Sequence, residues 1–240
     1  MAEQQEIEST IETNDIVEKA KGFWAKFSKS IIYVGGAIIL FGGGWLAYKN
    51  LVKLPNETKS AEQIFPAEQL FDKMTQAGFN KDSIGLVLNG NNGIVGVLKV
   101  ATNFAGTAAG NRAEFIAGAC YLHDKDFKNA VKHLKEFSTN SKQPQSSADR
   151  MLGDAYAELK QNDDALSYYQ KAIDVADKKD ESTRFLSLSR AALFCDVIGK
   201  TKEAIDYYQQ IKDEISPTFF RDNRIDFQVD KYLAKLGVTK

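Results

Sequence analysis

The chain has 240 residues, 31 basic and 32 acidic, for a net charge of −1, with 43 % hydrophobic and 26 % charged side chains. That balance excludes a broadly basic nucleic-acid binder and a chain with an acidic tail. The two cysteines, Cys120 and Cys195, are too few and too far apart for a disulfide scaffold or a zinc centre, and they leave the compartment open.

Residues 1–29 read as a polar, cytoplasmic tail. Its first 18 residues carry Glu3, Glu6, Glu8, Glu12, Asp15 and Glu18, and their composition predicts disorder. Residues 30–49 read as a transmembrane anchor. Ile31–Tyr48 is an 18-residue run without charge, roughly 27 Å of helix against a hydrocarbon core of about 30 Å. A buried soluble helix is the alternative. It is weakened because the run is apolar on every face and holds five glycines, each costing a soluble helix about 1 kcal/mol. Tyr33, Trp45 and Tyr48 lie toward its ends, where interfacial aromatics belong. No small-x-small cleavage pattern follows closely, so the segment reads as uncleaved. Lys19, Lys21, Lys26 and Lys29 precede it and Lys49 and Lys53 follow, which predicts the N-terminus inside and the C-terminal part outside the cytoplasm. Gly22–Phe27 fits the interface ahead of the span, aromatics down and lysines toward anionic headgroups, or else a plain cytoplasmic stub. Gly35, Gly42, Gly43 and Ala47 would let another membrane helix approach closely, unless they are only tolerated small residues without a partner.

Residues 50–60 are predicted to be a linker around KLPNETKS, and 61–110 a degenerate helical repeat. Within the latter, Ala61–Gln76 is amphipathic, NKDSIGLVLNGNN is a long loop, and Gly93–Phe104 is a second helix. GNNGIVG at 90–96 lacks the Lys-Ser/Thr of a phosphate loop and reads as a turn.

Residues 111–215 repeat internally. With Gly118, Gly153 and Ala192 set as equivalent, Tyr121, Tyr156 and Cys195 follow three residues on. Ala130, Ala165 and Ala204 follow twelve on, and Leu134, Tyr169 and Tyr208 sixteen on. A small residue at the first position lets one helix of a hairpin sit close against the other. Asn162 or Asp163 is suited to cap the second helix of the middle unit. Residues 216–240 read as a capping helix, with Ser216-Pro217 at its start, Ile225, Val229, Tyr232, Leu233 and Leu236 on one stripe, and Gly237 at its end.

No constellation for catalysis stands out. His123 and His133 lie in different helices with no ligand pattern, and a solvent-facing structural role fits them better than a metal site. Asp163 and Asp164 diverge on a helix, and no Ser or Cys sits in a nucleophile motif. Both cysteines read as small buried residues.

The skeleton resembles the tetratricopeptide repeat, a helix–turn–helix module of about 34 residues. The expected fold is all-α, a solenoid of helical hairpins with a C-terminal capping helix, preceded by one transmembrane helix. The resemblance implies a non-enzymatic protein–protein interaction module, without cofactor, metal, small-molecule substrate or nucleic acid. It also implies a groove lined by the first helix of each hairpin, here Arg112, Phe115, Leu122, Arg150, Asp154, Glu158, Ser189, Arg190 and Leu193. Ordinary solvated helix surface is the alternative for these positions. The carboxylate-clamp variant is not carried over, because Ala119 and Asp154 stand where it needs asparagines. In architecture, residues 20–240 resemble the single-pass ancillary subunit of the bacterial Sec translocon, grouped with the repeat domain of a cell-division coordinator. That resemblance implies a bacterial inner-membrane protein with a periplasmic, chaperone-like repeat domain that meets exported chains. A structural scaffold for an envelope complex in division, surface export or outer-membrane assembly is the other reading.

Overall fold

The computed structural model describes the backbone of residues 2–91, 93–225 and 227–238, with side chains from Val17 onward except Ile31. All regular structure among the described residues is helical, apart from an isolated bridge between Gly90 and Val95. The chain divides into two units, Met1–Asn56 and Glu57–Lys240.

In the first unit, α1 runs from Ala2 to Tyr48 and is followed by a π-helical segment, Lys49–Lys53. Residues 2–18 are therefore helical, where composition predicted disorder. Their Glu, Gln and Ile are adequate helix formers, and acidic residues suit a helix N-terminus. The expected linker at 50–60 is also helical, because α2 begins at Leu54. The π segment explains how. Leu54 N–H reaches back five residues to Lys49 O, and Pro55, which cannot donate, falls in the first turn of α2. One helical stretch among the described residues, Ile32–Ala77, is long and apolar enough by length and composition to cross a membrane, and none of its most apolar window is buried.

In the second unit, α2 (Leu54–Ala77), α3 (Lys81–Asn89), α4 (Val97–Asn103) and α5 (Ala108–His123) share one core built on Ile64, Met74, Val87, Val97, Val100 and Ile116. The loop expected at 80–92 is mostly α3. Asn80 caps it by accepting from Ser83 N at 2.9 Å, and Ile84, Val87 and Leu88 are buried. Helix α4 starts at Val97 rather than Gly93, because Asn91 Oδ1 accepts from Gly93 N and Ile94 N in the preceding turn. Gly90, at φ +76, closes it.

Three hairpins follow: α5 with α6 (Phe127–Glu136), α7 (Lys142–Glu158) with α8 (Asn162–Val175), and α9 (Glu181–Val197) with α10 (Thr201–Glu214). The small residues do what their spacing predicts. A Cβ at Gly153 would lie 2.5 Å from Tyr169 Cδ1, and one at Gly118 would overlap Leu134 Cγ. Ala192 and Tyr208 hold the equivalent positions of the third hairpin, both fully buried, as are Ala130, Ala165 and Ala204. Each hairpin turns through a left-handed residue seven positions after the small one: Lys125 at φ 64, Lys160 at φ 63 and Gly199 at φ 77. The same backbone bond locks each turn: Asp126 N to Tyr121 O, Gln161 N to Tyr156 O, Lys200 N to Cys195 O, at 2.9–3.0 Å. The cap position of α8 is Gln161, not Asn162 or Asp163, and its side chain makes no cap bond.

The hairpins are tied to one another by polar groups as well as by packing. Ser146 Oγ donates to Ala172 O at 2.8 Å and meets Ser187 Oγ at 3.0 Å. Arg184, buried in α9, donates to Ile173 O at 2.6 Å and grips both carboxylate oxygens of Glu214. The C-terminal stripe is not one helix. Ser216 caps α11 (Pro217–Asp222), Arg224 turns left-handed at φ 53, and α12 (Val229–Lys235) follows, closed by Gly237 at φ +88. The break lets Phe219, Phe220 and Phe227 all reach Phe185, with ring centroids at 5.7, 5.3 and 5.1 Å. One straight helix would hold only one or two of those rings against it.

Candidate functional site

Helices α5, α7 and α9 are the first helices of the three hairpins, and side chains from all three border one groove of about 570 Å³. Five of the nine expected groove residues line it: Leu122, Asp154, Glu158, Arg190 and Leu193. Sequence reasoning missed His123, Lys125, Phe127, Ala157, Phe194 and Val197, which complete the walls. Some were within reach of the repeat. His123 and Val197 stand five residues after their hairpin's small residue, as Glu158 does, so the offset that picked Glu158 finds them too. Val197 is 83 % exposed.

Arg112 and Phe115 line a second groove, of about 520 Å³, with Glu68 and Phe71 of α2 and Pro144 at the start of α7. Arg112 Nε meets Glu68 Oε1 at 2.6 Å. Arg150 lies behind the first groove, half-buried beside Asp154 and Arg190. Ser189 lines neither of these two grooves, and its hydroxyl donates to Leu186 O.

The floor of the first groove is an electrostatic tie. Tyr169 OH donates to Asp154 Oδ1 at 2.8 Å, and Arg190 Nε lies 3.1 Å from the same oxygen. Burial pushes the Asp154 carboxyl above the usual aspartate value, against the opposing pull of Arg190, Tyr169 and Arg150. Burial and the adjacent Asp154 both raise Tyr169, and burial lowers Arg150. Half of the Arg190 side chain remains exposed at 51 %, so it presents positive charge amid apolar Leu193, Phe194 and Val197.

The histidines and cysteines sit in packed surroundings. His123 stacks on Phe79 with centroids 3.6 Å apart, and desolvation lowers its pKa. His133 is half-buried rather than solvent-facing. Its Nδ1 sits 2.6 Å from Glu114, and its ring stacks on Tyr121 because it occupies the position that Tyr168 takes opposite Tyr156. Burial pushes the Cys120 thiol up to about 12 and Cys195 up to about 11, so neither presents a thiolate at neutral pH. Among the described residues no cluster of three or more His, Cys, Asp or Glu is placed to hold a metal.

Residues 151–179 match the tetratricopeptide repeat. They span the C-terminal half of α7 and all of α8, in the middle hairpin, whose Gly153–Tyr169 contact recurs as Gly118–Leu134 in the hairpin before it. Comparison with curated proteins returns no match, and neither does comparison with solved structures. The chain contains a tetratricopeptide repeat within an all-helical, solenoid-like arrangement. Such repeats generally bind protein partners and are generally not catalytic.

Proposed function

We propose that the protein is a non-enzymatic interaction module anchored in a bacterial inner membrane through residues 31–48. Its N-terminus is cytoplasmic and its repeats are periplasmic. It serves as an ancillary, chaperone-like subunit beside the Sec translocon, where the groove holds extended segments of exported chains weakly. The observation that carries this reading is the groove itself: apolar Leu122, Phe127, Leu193, Phe194 and Val197 interleaved with Lys125, Glu158 and the half-exposed Arg190 suit an extended segment of mixed character better than a charged or purely greasy ligand. The anchor is supported by the uncharged stretch in α1, whose side chains are exposed where described, and by the open glycine face. A Cβ at Gly35, Gly42 or Gly43 would meet nothing within 4 Å.

Photo-crosslinking the full-length chain in its own membrane tests both contacts. A probe at Leu193 is expected to capture exported chains, and a probe at Gly42 to capture translocon subunits. A Leu193 probe that captures only one folded envelope protein would favour the scaffold reading. Absence of translocon subunits at Gly42 would overturn the translocon role. A reporter fused at Lys240 is expected to show extracytoplasmic activity; cytoplasmic activity would reverse the topology.

A further inference from the structure

The segment just ahead of the uncharged run is two-sided. At 3.6 residues per turn, Phe23, Trp24 and Phe27 fall within an arc of about 100°, and Lys21, Lys29, Lys26 and Lys19 fill the opposite side of the same helix. Phe23 and Phe27 pack ring to ring at 4.9 Å, and Lys26 Nζ lies over the Phe27 ring, 5.4 Å from its centroid, at the border between the two sides. Phe23, Trp24 and Phe27 are 58, 55 and 39 % exposed, and all four lysines are exposed. No acidic residue occurs from Lys19 through Asn56. The helix continues unbroken into the uncharged run. Lys29 therefore lies next to the start of that run, and Lys19 roughly 18 Å before it at about 1.5 Å per residue. Four lysines are thus strung through the depth of a headgroup layer and its near-surface field. The aromatics sit at the level where rings of their kind partition.

We propose that Lys19–Lys29 is a binding site for anionic phospholipid headgroups, which the lysines gather around the anchor in the leaflet at its N-terminal end. This rests on the reading that residues 31–48 span the membrane. Phosphate is the matching chemistry because the ammonium groups are exposed point charges strung along a stretch with no acidic side chain. A neutral zwitterionic headgroup offers no net charge to them. Each lysine near an anionic surface is worth roughly a five-fold preference, and the effect decays over a Debye length of about 10 Å at 0.1 M salt.

The test uses the full-length chain with Trp45→Phe, leaving Trp24 as the reporter, reconstituted in vesicles of phosphatidylcholine and phosphatidylglycerol at three to one. Energy transfer is read from Trp24 to dansyl-labelled phosphatidylglycerol and, separately, to dansyl-labelled phosphatidylcholine. The expected result is a several-fold excess of transfer to phosphatidylglycerol at low salt, shrinking toward parity at high salt. The excess should be abolished when Lys19, Lys21, Lys26 and Lys29 are changed to Gln and kept when they are changed to Arg. Carbonate extraction is run first. Retention of the protein with equal transfer to both lipids overturns the lipid site alone, whereas release by carbonate overturns the anchor and the lipid site together.

Discussion

Tyr169 and Tyr208 hold equivalent places in successive hairpins, and their hydroxyls meet different fates. Tyr169 bonds to Asp154; at the position equivalent to Asp154 the next hairpin has Leu193, and Tyr208 OH is buried with no hydrogen-bond partner among the described residues. Removing the two hydroxyls should therefore cost different amounts. Tyr169→Phe should lower stability by about 1.5–3 kcal/mol, the range for a hydrogen bond to a charged group, and Tyr208→Phe should be neutral or slightly stabilising. Urea melts of both variants decide this, and equal losses would mean that Tyr208 OH is bonded after all. Asp149 gives a pH-dependent case. It is buried at 7 % exposure and bonded to Gln145, and burial holds its carboxyl above the usual aspartate value. A raised folded-state value means that the folded protein holds the proton more tightly than the unfolded chain. The stability so gained is complete below the unfolded value and is lost as pH rises through the folded one. Asp149→Asn should accordingly melt higher than the parent at pH 7, with the difference closing below about pH 4. A difference that widens in acid would refute the assignment.

Element boundaries follow from where a backbone special is needed, and those specials were only partly legible. The Gly118, Gly153 and Ala192 positions showed in the sequence because smallness recurs at fixed offsets, and the two glycines are each explained by one side chain across the hairpin. Gly153→Ala should cost about 1–3 kcal/mol, since the added methyl meets the Tyr169 ring inside a packed pair. A thermal melt that is unchanged would show that the ring yields. The left-handed turn position was hidden, because two of its three occupants are Lys125 and Lys160 rather than glycine. A non-glycine residue there carries a local cost of about 1–2 kcal/mol, partly offset in the unfolded chain by the greater freedom of glycine. Lys160→Gly is therefore expected to raise stability by about 0.5–1 kcal/mol, and a fall in the denaturation midpoint would contradict the assignment. The α3 helix was hidden for another reason. The glycine-rich segment after it made the whole stretch look like loop, although Asn80 with Ser83 is a readable cap and Ile84, Val87 and Leu88 share a face. At the C-terminus a helical spacing was present but overridden, because burying three phenylalanines against Phe185 outweighs keeping one straight helix.

At the scale of the whole chain, periodicity made the solenoid of hairpins legible, and length and charge made the uncharged segment legible. The groove was half-legible. Residues expected from one repeat position at a time fell into two separate grooves, and the walls contributed by the turn of the first hairpin, Lys125 and Phe127, belong to no first-helix position. Turns come into a groove only through the stacking angle of the hairpins, which a single sequence does not encode locally. The groove over α5, α7 and α9 is the central claim, and Val197 offers the cleanest access to it. Its side chain is 83 % exposed, so a change there reports on what the groove holds rather than on the fold. The direct measurement is the affinity of the full-length chain for a permanently unfolded polypeptide, compared with Val197→Asp. The account predicts at least about tenfold weaker binding, the equivalent of losing one apolar contact and setting an unpaired charge against the ligand, with an unchanged melting temperature. Equal affinity in the two proteins would contradict it.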